Sequence, residues 1–360
     1  MKPPDNHTRL LHEELVLYRC LHPINAGIAI PLEIALPYHA ILGKINAGFY
    51  SSGILLKLST SFTQESSLNF GLRPVFAADI TDFFEDICRM NHALRVAILD
   101  LYEGRPNEGM RCIQQILQEY SHAKGLPVVS HIYDVRLKEE LPDLSYDIYL
   151  SSGGPGSPLE TEGVSWDNKY MDWLHALVKH NKVANEADKK YVLFICHSFQ
   201  LACRFFKTGK VTKRKSTAFG VFPIHMNAEG KHEPVFHGLR DPFYAVDSRD
   251  YQVIEEDRSD FKKKGAHILA IEKERPHVPL QRAIMAIRFN EYMIGTQFHP
   301  EADAIGMSMY LQRADKKKTV IEGYGEEKWK SMIQHLNDPD KIRKTYAQVI
   351  PNFINIARGR

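Results

Sequence analysis

Residues 191–203 read YVLFICHSFQLAC. Tyr191 to Ile195 is an apolar, β-favouring run of strand length, Cys196 stands at its end, and His197 and Ser198 lead straight into an apolar-faced helical stretch. A cysteine at such a turn lies where the first amides of the helix have no acceptor of their own. Those amides and the helix dipole favour thiolate over thiol, and the thiolate is the nucleophile. An isolated cysteine is more often a small buried hydrophobe, so the choice rests on what the rest of the chain brings to the same place.

Working outward, Val96 to Leu101 is a β-rich run, and Asn107 caps a helix whose stripe is Met110, Ile113, Ile116, Leu117 and Tyr120. Gly125-Leu126-Pro127 ends that helix, Val128 to Tyr133 and Tyr146 to Leu150 follow as strands, and Trp166 to Lys179 is helical. Strand, helix, strand, loop, helix, strand is the order of an α/β fold with a mostly parallel sheet and helices on both faces. The third strand opens into Ser151-Ser152-Gly153-Gly154-Pro155-Gly156-Ser157-Pro158. Ligands of such sheets sit beyond the carboxyl ends of the strands, so this loop and Cys196 belong on one edge.

Downstream the pattern shortens. Ala218 to His225, Phe243 to Val246, Tyr251 to Ile254, His267 to Ile271, Ala283 to Phe289 and Tyr292 to Phe298 read as added antiparallel strands, with Asn290-Glu291 as a hairpin turn. The last ends in Gln297-Phe298-His299-Pro300-Glu301. Ala302 to Ala314, Glu326 to Leu336 and Asp340 to Ile356 read as helices. The last has Ile342, Tyr346, Val349 and Phe353 on one face, and Pro351 interrupts it.

His299 and Glu301 are two apart, which in extended backbone places both on one face, and Pro300 holds the residue before it out of the helical region. A carboxylate beside an imidazole accepts one ring N–H, fixes the tautomer and stabilises the imidazolium. With Cys196 this supplies nucleophile, base and orienter. Attack on an amide carbonyl also needs backbone N–H groups to receive the oxyanion. The glycines of Gly153-Gly154-Pro155-Gly156 allow an amide to turn inward near Gly154, and the amide of His197 is the second donor.

SSGGPGSP, FICHSFQ and QFHPE, in that order, resemble the motifs of the class I glutamine amidotransferases over roughly Arg95 to Ala314, above all in QFHPE. The nearest likeness is to the amidotransferase part of GMP synthase or a stand-alone relative. The resemblance implies a flavodoxin-like sheet, a triad of Cys196, His299 and Glu301, and substrate contacts from Gln200 and Gly153. It implies hydrolysis of glutamine through a cysteinyl thioester, with ammonia passed to a separate synthase. Family members usually carry glycine two before and two after the cysteine. Here these positions are Phe194 and Ser198, where substrate choice is expected to differ. A γ-glutamyl amide or peptide hydrolase, and a scaffold that keeps the fold without catalysis, are the alternatives.

The remaining features are permissive. Hydrophobic content of 44%, charged content of 25% and a net charge of +2 over 360 residues are ordinary for a soluble protein and give no long-range field for nucleic acid or an anionic membrane. Lys213-Arg214-Lys215, Lys262-Lys263-Lys264 and Lys316-Lys317-Lys318 read as solvated surface. Five cysteines with no CxxC pair fit a reducing, cytoplasmic setting, and there is no leader or membrane-length apolar run. The seventeen histidines show no zinc spacing, and no metal or other cofactor is expected. His197, His225 and Arg249 are weaker pocket candidates. Residues 1–90 read as an extension of uncertain order with one helical stretch at Asp79 to Met90. Residues 91–314 form the amidotransferase-like domain and 315–360 a C-terminal helical segment.

Overall fold

The computed structural model describes residues 93–359 apart from 106, 257–260, 262, 277–278 and 339–340. The expected extension over 1–90, with its helix at Asp79 to Met90, therefore lies outside the described residues. The chain runs β1 (Leu94–Asp100), α1 (Glu108–Lys124), β2 (Val128–Asp134), β3 (Ile148–Ser151), α2 (Ser165–Val183), β4 (Tyr191–Ile195) and α3 (His197–Phe206). It continues with β5 (Lys210–Met226), α4 (Ala228–Lys231), β6 (Phe243–Ile254), β7 (His267–Glu272), β8 (Ile284–Asn290) and β9 (Met293–Thr296). Four helices close it: α5 (Ala304–Gln312), α6 (Ala314–Tyr324), α7 (Glu326–Asn337) and α8 (Ile342–Arg358).

Strand order across the sheet is β2-β1-β3-β4-β9-β8-β6-β5-β7. The first five are parallel, with Val96 opposite Ile148, Ile148 opposite Tyr191 and Val192 opposite Met293. Their residues alternate between two cores. Val96, Ile98, Leu150, Leu193 and Ile195 pack with Ile113 and Leu117 of α1 and with Val349 and Phe353 of α8. Ala97, Leu99, Tyr149, Val192 and Phe194 pack with Tyr170, Trp173 and Leu174 of α2 and with Phe199 of α3. Each fully buried side chain of this kind stabilises the fold by roughly 1.5–3 kcal/mol, so a strand apolar on both faces is the natural partner of two helical layers. Helices do cover both faces, as expected.

The other half differs from a mostly parallel sheet. β5, β6, β7 and β8 pair antiparallel, β8 joins β9 antiparallel, and β7 pairs with both β5 and β8. β5, β6, β7 and β8 are thus the added antiparallel strands that the sequence predicts, while β9, expected among them, runs parallel to β4 and extends the parallel half. The two expected strands Phe243 to Val246 and Tyr251 to Ile254 are one strand, β6. Its polar centre reads as a turn, yet Arg249 Nε lies 2.8 Å from Asp247 Oδ1 and the pair is buried, so the charges neutralise each other within the strand. The β8–β9 turn falls one residue later than expected, because Asn290 itself pairs with Met293.

The helix expected over Ala302 to Ala314 is α5, which ends at Arg313, extended at φ −59° and ψ 133°, and α6 after it was not expected. Pro351 does not interrupt α8. A proline in a helix interior costs about 3 kcal/mol, and Val349, Ile350, Phe353 and Ile354, buried on either side of it, more than offset that. Arg214 is not solvated surface either. Its guanidinium is buried and lies 3.1 Å from Glu272 Oε1, because the charges of β5 and β7 meet there.

Candidate active site

Cys196 ends β4 and heads α3 with φ 52° and ψ −97°, a positive φ that is rare for a residue with a side chain. Three contacts hold it there. Cys196 N–H donates to Thr296 O at 2.7 Å, Gln200 N–H returns to Cys196 O at 3.1 Å, and Ser198 Oγ accepts Ile195 N–H at 2.8 Å. Ser198 Oγ also donates to Ser151 O at 2.7 Å, tying the end of β4 to β3. The turn is sharp, and the His197 N–H at the start of α3 is one of the first-turn amides that have no acceptor in the helix.

The glycine-rich loop follows β3 on the same edge. A Cβ at Gly153 would stand 2.9 Å from His299 Cε1, 2.9 Å from Tyr102 Oη and 3.5 Å from Cys196 Cβ, so only glycine lets these groups meet. At Gly154 a Cβ would strike Leu101 O at 2.4 Å. His299 follows β9, held by its N–H to Val246 O at 2.8 Å. Its Nδ1–H donates to Glu301 Oε1 at 2.8 Å, which leaves the other ring nitrogen for Cys196.

Burial pushes the His299 pKa down, but the charge of Glu301, then the charge of Cys196 and hydrogen bonds to both outweigh it and hold it well above its usual value. The imidazole is therefore poised to carry a proton beside the sulfur. Glu301 is 1% exposed, and its Oε1 lies where a Cβ at Gly109 would come within 3.0 Å, at the first turn of α1. Asn107 caps α1 by accepting Gly109 N–H at 2.6 Å. Arg111 of α1 reaches Asp303 Oδ2 at 2.8 Å, fastening the segment after Glu301 to the same helix.

Cys196, Gly153, His299 and Glu301 thus come together. His197 follows Cys196 at the start of α3, and Gly154 follows Gly153 in the loop with Leu101 O against it. The His197 ring points into the interior instead, its pKa lowered to about 3 by burial and then by Arg136 and Arg204. Gln200 is buried, and its Nε2 donates to Tyr251 O at 3.2 Å and to Gln297 Oε1 at 3.0 Å. His225 lies on β5 opposite Ile271, and Arg249 is held by Asp247. Phe194 and Ser198 do not line the site. Both are wholly buried, Phe194 in the core under α2 and α3 and Ser198 within the turn, because the backbone at Cys196 directs their side chains inward.

Two contacts of Cys196 and one further neighbour of the site were not expected. Gln297 Nε2 approaches its sulfur at 3.6 Å and the sulfur faces Ser248 O at 3.7 Å. Tyr102, near Gly153 and Glu301, is the third. Burial and then the charges of Glu301 and Cys196 raise its pKa well above normal, so it remains a donor. Tyr102 lies just past the carboxyl end of β1, where the edge rule could have found it. Gln297 stands inside QFHPE. Ser248 contributes only backbone and leaves no side-chain signal.

Residues 110–311 match the family model described as Glutamine amidotransferase class-I. Among solved structures, the chain is similar to SMU.1228c, with 16% identity and a TM-score of 0.50, covering 74% of this chain and 100% of that one. It is also similar to a glutamine amidotransferase from Thermotoga maritima, with 14% identity and a TM-score of 0.52, covering 74% of this chain and 98% of that one. These two likenesses concern the fold. No curated protein matches the chain. The family model spans more than half of the sequence and includes the Cys196 turn and the His299–Glu301 segment, and the chain belongs to the class-I glutamine amidotransferase family.

Proposed function

We propose that the protein hydrolyses the side-chain amide of glutamine at Cys196, with His299 and Glu301 as its partners, and passes the ammonia to a separate synthase. The observation that carries this reading is the meeting of Cys196, His299 and Gly153 at a strained turn on the carboxyl edge of the sheet, with Glu301 bonded to the imidazole. Cys196 sulfur attacks the amide carbon, forming a C–S bond and an oxyanion received by the amides near Gly154 and His197. His299 gives its proton to the leaving nitrogen as the C–N bond breaks and ammonia departs. It then takes a proton from water, which attacks the thioester, and glutamate leaves as the C–S bond breaks.

Tyr102, protonated and beside Gly153 and Glu301, is suited to hold the substrate or the imidazole through its hydroxyl. The test is a glutamine-mimicking electrophile with mass spectrometry of the labelled peptide. Stoichiometric labelling at Cys196, lost in Cys196→Ala together with glutamine hydrolysis, is expected. An intact protein that stays unlabelled would sink the reading. Brisk turnover of γ-glutamyl amides other than glutamine, with no partner added, would replace the amidotransferase by a γ-glutamyl hydrolase.

A further inference from the structure

Behind the glycine loop lies a guanidinium that neither Cys196 nor its partners use. The Arg136 side chain is 6% exposed and rests on the Trp166 ring, 5.0 Å from its centroid. Its Nη1 donates to Pro155 O at 2.6 Å and, more weakly, to Leu101 O at 3.4 Å. Leu101 O is the atom that a Cβ at Gly154 would strike at 2.4 Å. One guanidinium nitrogen therefore grips both the carbonyl on which Gly154 rests and the carbonyl of the residue after it.

The near side of the loop is fixed as well. Ser152 Oγ accepts Leu101 N–H at 3.0 Å and donates to Gly153 O at 2.9 Å. The C=O and N–H of a trans peptide point opposite ways, so pinning the Gly153 carbonyl turns the Gly154 N–H away from Ser152. Ser152 thus holds the Gly153–Gly154 peptide itself, and Arg136 fixes the Pro155 carbonyl that follows it and the Leu101 carbonyl beneath Gly154. Arg136 also has a weaker, partly exposed counter-charge, Glu103, 3.5 Å from Nη2. Its main partners are thus the two loop carbonyls.

We infer that Arg136 is the positioning residue of the oxyanion site: it holds the Gly154 amide at the orientation that receives the charge developing on the amide oxygen. This rests on the glutamine-hydrolysis reading. It assigns Arg136 to the turnover step rather than to glutamine affinity, because a misplaced oxyanion donor weakens the transition state more than the ground state.

The experiment compares full-length wild type with Arg136→Ala and Arg136→Lys. One readout is steady-state glutamine hydrolysis. The other is the pH profile of iodoacetamide alkylation at the Cys196 peptide, which requires the thiolate but no oxyanion donor. Arg136→Ala is expected to lose about 10- to 100-fold in kcat with KM changed by less than about threefold. Its alkylation profile stays as in wild type, and Arg136→Lys recovers part of kcat through a single donor to Pro155 O. A kcat within about twofold of wild type overturns the assignment, as does an alkylation profile that shifts along with kcat. Should Arg136→Ala fail to fold, Arg136→Lys decides on the same readouts. Failure of the amidotransferase reading looks different: wild type then ignores glutamine but turns over other γ-glutamyl amides, on which the same variants are compared. Wild type inactive on both classes overturns the two proposals together.

Discussion

Glu301 sets the proton affinity of His299, and the sign of its effect can be worked out. Burial alone would lower the imidazole pKa, while the Glu301 charge is the largest of the opposing influences. A folded pKa raised above the unfolded one means a stabilising contribution that is complete below the unfolded value near 6.5 and lost as pH rises through the folded value. In the proposed mechanism the same ionisation removes the proton that the leaving ammonia needs. Glu301→Gln is therefore expected to move the alkaline limb of kcat/KM for glutamine to lower pH and to reduce kcat by at least about tenfold. A pH–rate profile with an unmoved limb would show that Glu301 does not tune His299. His197 carries the opposite sign. With its folded pKa depressed from 6.5 to about 3, the unfolded chain takes up the proton first as pH falls. Stability should drop across that window by up to about 1.4 kcal/mol per pH unit. His197→Gln should flatten the drop in urea unfolding at pH values within it. At this scale the coming together of Cys196, His299 and Glu301 at one sheet edge was legible from spacing and strand ends. Tyr102, Arg136 and Ser248 were not, because their roles arise from chain segments brought together only by the sheet.

The turn between β4 and α3 shows how an element compensates for an unusual residue. Ser198 spends its hydroxyl on Ile195 N–H and Ser151 O, satisfying two buried backbone groups that a glycine would leave to other partners. Gly295, opposite Phe194 on the neighbouring strand, leaves room for the aromatic packing beside it, since a Cβ there would come within 2.6 Å of Phe199 Cδ2 and 3.0 Å of Phe289 Cε2. Ser198→Ala is expected to cost about 1–3 kcal/mol for the buried groups left without a partner. Urea unfolding measures it, and a cost near zero would mean that other groups take over both bonds. Gly154→Ala tests the adjoining loop, since its Cβ meets backbone rather than a flexible side chain; turnover should fall on the order of 100-fold. Elements were legible from sequence where period and cap agreed, as in α1 between Asn107 and the left-handed Gly125 at φ 57°. They were misjudged where burial overrode local chemistry: the Asp247–Arg249 pair carries β6 through an apparent turn, and apolar packing carries α8 through Pro351.

Across the whole molecule, the parallel half of the sheet supplies the site and the rest braces it. The parallel half could be read from its alternation of strands and helices. The antiparallel half could not be placed, because short strands paired across long separations leave no local record of register. One brace comes from the far end of the chain. Phe353 of α8 is 1% exposed and packs edge-on to Tyr191, the first residue of β4, with ring centroids 6.3 Å apart. Two residues on, Asn355 Oδ1 accepts the Tyr120 hydroxyl of α1 at 2.8 Å. The C-terminal helix thus joins the strand that ends in Cys196 to the helix whose first turn faces Glu301. Phe353→Ala removes an aromatic ring from a closed core and is expected to cost about 3–5 kcal/mol. If α8 braces the site as well as the core, the folded fraction of this variant will also lose glutamine turnover, with the loss restored as stabilising osmolyte is added. Full turnover at a lowered unfolding midpoint would instead confine Phe353 to stability, leaving the geometry around Cys196 to β3, β4 and β9 alone.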